Sequence, residues 1–155
     1  MTLAVLLTVV EGLGGHSIAM GIAGVGSALG AGYAAFGAMG LWKQSIKENK
    51  KLPPVALAMV GMPLSQVIYG MIFSNALASA NLNPDSYLNQ MILSLFVGLA
   101  IAASALFQGK VGAAACANLA VDSKQGVGMY IAAMGILETV ALLAMVFGMG
   151  AIPAA

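Results

Sequence analysis

Four long apolar runs govern what this chain can fold into. They cover about residues 18–42, 52–78, 91–120 and 127–152. Each exceeds the roughly 20 residues that an α-helix needs to cross a hydrocarbon core about 30 Å thick. Inside lipid no water satisfies free N–H and C=O groups, so such runs close their hydrogen bonds within helices. Composition points the same way. The chain is 61% hydrophobic and only 7% charged, against about a quarter charged in a water-soluble domain, so it lacks the polar surface that would cover a globule in water. The expectation is an all-α membrane protein: four transmembrane helices in a single membrane domain over residues 1–155, with no soluble domain attached. Residues 1–10 are apolar but lack the basic stretch that opens a signal peptide. They are expected to form a non-cytoplasmic extension leading into the first helix, or a frayed terminus.

The lysines orient the runs. All six basic residues are lysines. Lys43, Lys47, Lys50 and Lys51 lie between runs one and two, and Lys124 lies between runs three and four. The turn over residues 80–87 has none. The positive-inside rule then places loops 43–51 and 121–126 in the cytoplasm and both termini outside a cell membrane crossed several times. Lys110 falls inside run three, where its stem can snorkel toward an interface. Cys116 is the lone cysteine and forms no disulfide within the chain. A net charge of +1 suits no nucleic-acid partner.

The chain also repeats itself. Ser27-Ala28-Leu29 and Gly32 recur 77 positions later as Ser104-Ala105-Leu106 and Gly109. Gly70-Met71-Ile72-Phe73 recurs 74 positions later as Ala144-Met145-Val146-Phe147. Matches in this order suggest two tandem duplicated hairpins, the first over about residues 14–80 and the second over about residues 87–153. They share one orientation, unlike the inverted repeats of many transporters. Run one carries small residues on one face (Ala23, Gly26, Gly30, Ala34, Gly37), and run three does the same (Gly98, Ala102, Ala105, Gly109, Gly112, Cys116). Such stripes let helix backbones approach closely. They serve ordinary packing, or an inner wall where runs one and three of many copies meet around a ring.

Five acids are present: Glu11, Glu48, Asp85, Asp122 and Glu138. Only Glu138 lies deep within a run. A carboxyl there costs at least about 2.5 kcal/mol and normally faces a partner or a pathway; a protonated carboxyl donating a packing hydrogen bond is the alternative. The repeat places Leu64 where Glu138 stands in the second hairpin. Near that depth, run two sets Met62, Ser65, Gln66 and Tyr69 on one helix face. Pro63 among them lacks an N–H, which predicts a kink and a freed carbonyl at Met59. Run three adds Gln108. Each polar group alone could be interhelical glue. Together, a carboxylate, two amides and a hydroxyl are oxygen ligands suited to a hard cation. One carboxylate neutralises one Na⁺, whereas a divalent ion would leave charge in the bilayer. H⁺ needs fewer oxygens and is the alternative cargo.

These residues resemble a known family. Pro63-Leu64-Ser65-Gln66-Val67-Ile68-Tyr69-Gly70, Phe107-Gln108-Gly109-Lys110-Val111, Leu137-Glu138-Thr139 and the glycines around Ser27 resemble the four helices of the proteolipid (c or K) subunit of bacterial V-type ATPases. The resemblance implies a homo-oligomeric rotor ring of identical subunits, with runs one and three inside and runs two and four outside. Its implied partners are a stator subunit carrying a membrane arginine, a central stalk subunit and the lipid bilayer. Ion flow would be coupled to ATP hydrolysis or synthesis elsewhere in the complex, so this chain would itself be no enzyme and hold no catalytic residue. In sodium-carrying members the ligands match Glu138, Gln66, Gln108, Ser65 and the backbone of Met62. Tyr69 matches the residue that hydrogen-bonds the carboxylate. Serine at position 65 stands where a sodium-carrying member has threonine, and it keeps the hydroxyl. A small four-helix membrane enzyme or scaffold is the rival of another class. The absence of arginine, and a single histidine, His16, at the end of run one, give it little chemistry to work with.

Overall fold

The computed structural model describes residues 15–80, 86–122 and 125–152. The 1–10 extension, Glu11, Asp85, Lys124 and the outermost ends of both hairpins lie outside the described residues. A 3₁₀ turn, Gly15–Ser17, leads into α1, Ile18–Lys47. The second crossing is divided into α2, Val55–Gly61, a 3₁₀ turn, Met62–Leu64, and α3, Ser65–Ser79. The remaining helices are α4, Tyr87–Val121, and α5, Val127–Gly150. Among the described residues there is no strand. All four crossings are long and apolar enough to span a membrane, so the chain has the expected all-helical form of a multi-pass membrane protein.

The helix ends follow from local chemistry. α1 continues five residues past its apolar run, because Lys43, Gln44 and Lys47 are good helix formers where water is available. It stops at Asn49, whose φ of 52° is left-handed. The Asn49 amide donates to the Ile46 carbonyl (3.1 Å) and the Lys50 amide to the Ser45 carbonyl (2.9 Å), which satisfies carbonyls that the helix end leaves free. The Trp42 indole donates to the Pro53 carbonyl at 3.3 Å and ties the loop to α1. Lys50 pairs with Glu48 at 2.6 Å. That contact, with help from Gln44, holds the Glu48 carboxyl below the usual carboxylate range. Such an exposed pair adds little stability. At the other tight turn Gly126 adopts a φ of 80°, a conformation that glycine reaches without steric penalty.

α1 and α4 run parallel and meet backbone to backbone. A side chain at Gly30 would strike the Ala105 carbonyl, and one at Gly109 would strike the Gly30 backbone. The two small-residue stripes therefore face each other within one chain, which is the packing reading of that pattern. Lipid supplies no hydrophobic drive between helices, so dispersion across this close contact holds them. α2 and α3 return antiparallel along α1, α5 returns along α4, and α3 touches α5. Two apolar clusters form: one near the lysine-bearing loop around Leu41, Met59, Cys116, Leu119 and Met134, the other around Phe73, Leu77, Val97 and Ile101. The polar site lies between them. The outside is strongly apolar, with Phe36 71%, Ile136 70% and Phe147 72% exposed, a surface that water does not cover favourably.

Candidate functional site

Glu138 stands at the middle of α5, with eleven residues of the helix before it and twelve after. Its position follows from the length of the apolar run, and its partner from the neighbouring helix. Tyr69 on α3 donates its phenol to Glu138 Oε1 at 2.7 Å. Both side chains are half-buried at the seam between α3 and α5.

The break in the second crossing falls where Pro63 predicts it. Proline removes one helical N–H and crowds the preceding turn, and the chain tightens into the 3₁₀ turn Met62–Leu64. Ser65 then turns its hydroxyl back onto the Met62 carbonyl (3.0 Å) and also lies 3.2 Å from Gln66 Oε1. A hydroxyl has one proton, so it donates to one of these oxygens at a time.

Gln66 and Gln108 are both fully buried. Gln66 Nε2 donates to Gln108 Oε1 at 2.9 Å, and Gln108 Nε2 donates to the Met134 carbonyl at 3.0 Å. A chain of polar contacts thus crosses the apolar interior from α3 through α4 to α5. Unpaired, each amide would carry a desolvation penalty of about 1–3 kcal/mol; here each finds a partner. The Ser104 hydroxyl, on α4, reaches the Leu137 carbonyl at 2.6 Å. Gln108 and Ser104 together fix the turn of α5 that presents Glu138.

All six residues expected at the site therefore occupy one region. They form one connected set: Met62, Ser65, Gln66 and Gln108 are joined to one another, Ser65 also contacts the Tyr69 hydroxyl, and Tyr69 holds Glu138. Among the described residues, no hydrogen bond links Glu138 directly to either glutamine. Ser104 was missed as a site residue by sequence reasoning. Its only signal was its place in the repeat opposite Ser27, whose buried hydroxyl has no hydrogen-bond partner among the described residues. Lys110 is exposed, and its ammonium lies over the rings of Tyr33 (5.5 Å) and Phe107 (5.3 Å). Cys116 is a buried packing residue.

The donor set comprises one carboxylate, two amide oxygens, a hydroxyl and the Met62 carbonyl, which already accepts from Ser65. It offers oxygen ligands to a hard monovalent cation, or one protonatable oxygen with a phenol beside it to a proton. Compared with known proteins, the chain matches no family model, and no curated protein sequence matches it.

Proposed function

We propose that this chain is a rotor-ring subunit of a V-type ATPase or ATP synthase, carrying Na⁺ across the bilayer on Glu138. The observation that carries the reading is a carboxylate at the centre of a membrane-spanning helix, held by Tyr69, beside a buried pair of glutamines. An ionisable group at that depth ordinarily marks an ion pathway. The family resemblance supplies the larger context: identical copies in a ring, a stator subunit with an arginine, a central stalk subunit, and the bond chemistry of ATP carried out elsewhere.

The packing supports the duplicated-hairpin part of the reading. The α1–α4 contacts Ala19–Ser94, Gly26–Ala102, Gly30–Ala105, Gly30–Gly109 and Gly37–Ala113 all pair residues within two positions of the 77-residue repeat offset. Equivalent helices of two copies of one hairpin would lie side by side in this way. The α1/α4 layer forms the inner side in this reading, with the second crossing and α5 outside. The loop over residues 43–51 faces the cytoplasm, where its lysines lie near the stalk.

Proton transport by the same ring is the second reading. It is favoured by one observation: Glu138 accepts the Tyr69 phenol at 2.7 Å, and a proton needs only one carboxyl oxygen with such a partner beside it. Carbodiimide labelling separates the two. The reagent attacks a protonated carboxyl, so millimolar Na⁺ is expected to protect Glu138 at neutral pH, and protection is expected to weaken as pH falls because protons compete for the ligand. Unprotected labelling, with transport continuing in the absence of Na⁺, would overturn the sodium assignment in favour of the proton.

A further inference from the structure

We infer that Lys110 holds the headgroup of an anionic phospholipid against the α1/α4 face, on the side away from Glu138. This inference rests on the chain crossing a membrane and not on which ion Glu138 carries.

The argument begins with depth. Gln108 bonds the Met134 carbonyl and Ser104 bonds the Leu137 carbonyl, so α4 and α5 are antiparallel and Lys110 lies level with about the second turn of α5. That is about 8 Å along the axis from Val127 at 1.5 Å per residue. α5 is about 36 Å long on the same rise, slightly more than a hydrocarbon core of about 30 Å. Lys110 therefore emerges from the backbone inside the core but within reach of its lysine-loop boundary. A charge at this level normally pairs with another group. Lys110 has no carboxylate within ion-pair distance among the described residues.

The surroundings indicate which anion is suitable. The ammonium rests on Tyr33 and Phe107, at distances typical of cation–π contacts. Both rings are themselves about half exposed, and α1 presents the apolar residues Leu29 and Phe36 on the exposed surface. A cation on an aromatic floor, flanked by apolar surface along the membrane normal, matches the two parts of a phospholipid: phosphate on the lysine, acyl chains along the helices. Tyrosine and lysine near a bilayer boundary are general anchors of this kind. Lys43 and Lys47 stand in the last turns of α1 and Lys50 and Lys51 beyond its end, and among the described residues none of them lies over a ring.

Native mass spectrometry of the full-length protein tests the assignment after exchange into detergent with equal phosphatidylglycerol and phosphatidylcholine. The wild type is expected to retain phosphatidylglycerol preferentially. Lys110→Gln is expected to lower that preference about fivefold, the effect of one lysine near a membrane surface. Lys110→Arg keeps it, Tyr33→Leu reduces it, and Lys47→Gln leaves it unchanged. Carbodiimide labelling of Glu138 stays intact in Lys110→Gln, as does that of Lys110→Met, which preserves apolar volume. Undiminished phosphatidylglycerol retention by both Lys110→Gln and Lys110→Met would overturn the assignment. So would displacement of the lipid by inorganic phosphate, or a carbodiimide cross-link joining Lys110 to a carboxylate of a second copy.

Discussion

Gln66 and Tyr69 sit three residues apart on one helix face, yet their substitutions are expected to have opposite signatures. On the sodium reading Gln66→Ala removes an oxygen ligand, and it leaves Gln108 Oε1 without its 2.9 Å donor, a loss of about 1–3 kcal/mol for an unpaired buried group. Glu138 remains, so carbodiimide still labels it, while the Na⁺ concentration needed for protection rises about tenfold for each 1.4 kcal/mol of binding lost. Tyr69→Phe removes the 2.7 Å bond to the carboxylate and leaves the amide pair in place. Protection then changes less, while single-turnover ²²Na⁺ release becomes faster because the carboxylate is no longer held. On either ion reading, Glu138→Gln is expected to abolish labelling and transport together. The sequence pointed to Ser65, Gln66 and Tyr69 because polar groups are rare in an apolar chain and these share a helix face, and to Gln108 and Glu138 by their depth within other runs. It did not reveal that the glutamines bond to each other and not to Glu138, since hydrogen-bond pairing depends on how the helices rotate. Ser104 escaped notice for a related reason: a serine in a stripe of small residues looks like a spacer until its Leu137 carbonyl partner comes into view.

At the scale of elements, Gly109 and Gly128 form a matched pair. A methyl at Gly109 would collide with the Gly30 backbone, whereas Gly128 has open space around it. Gly109→Val is expected to force α1 and α4 apart, with a destabilisation of at least about 1–3 kcal/mol typical of overpacking. Gly128→Ala is expected to be neutral or to stabilise by up to about 1 kcal/mol through helix propensity. Thermal aggregation of the purified protein in mild detergent reads both. The crossings themselves were legible from apolar length alone, and their ends were less so. Hydropathy marks where a helix meets lipid and not where it stops. α1 therefore reaches Lys47, beyond residue 42, and α4 begins at Tyr87, before residue 91. Pro63 was legible as a break because its missing N–H acts locally, and the 3₁₀ turn lies at that point. The parallel pairing of α1 and α4 was not, because two stripes of small residues do not say whether they face each other or another copy.

For the whole molecule, orientation and assembly have separate tests. Lys47 and Ser79 are exposed at opposite ends of the described fold, whereas Ser45 is buried with its hydroxyl on Leu41 and would make a poor reporter. In a Cys116→Ala background, Lys47→Cys is expected to react with a membrane-impermeant thiol reagent only from the cytoplasmic side, and Ser79→Cys only from outside; the opposite pattern would reverse the topology. On the rotor reading, contact between copies falls to other, exposed faces, because the α1 and α4 stripes already cover each other. Electron microscopy of detergent-solubilised particles is expected to show closed rings built from head-to-tail contacts, and a monodisperse monomer that still binds its ion would refute the ring. The self-satisfied group of Ser65, Gln66 and Gln108 also has a genetic consequence. The buried amides find protein partners that do not include the Glu138 side chain, so a Glu138→Gln product is expected to insert normally and to enter the same particles as its wild-type sibling. On the rotor reading, co-expression is then dominant: one idle copy per particle stalls its active neighbours, and transport falls more steeply than the fraction of mutant chains.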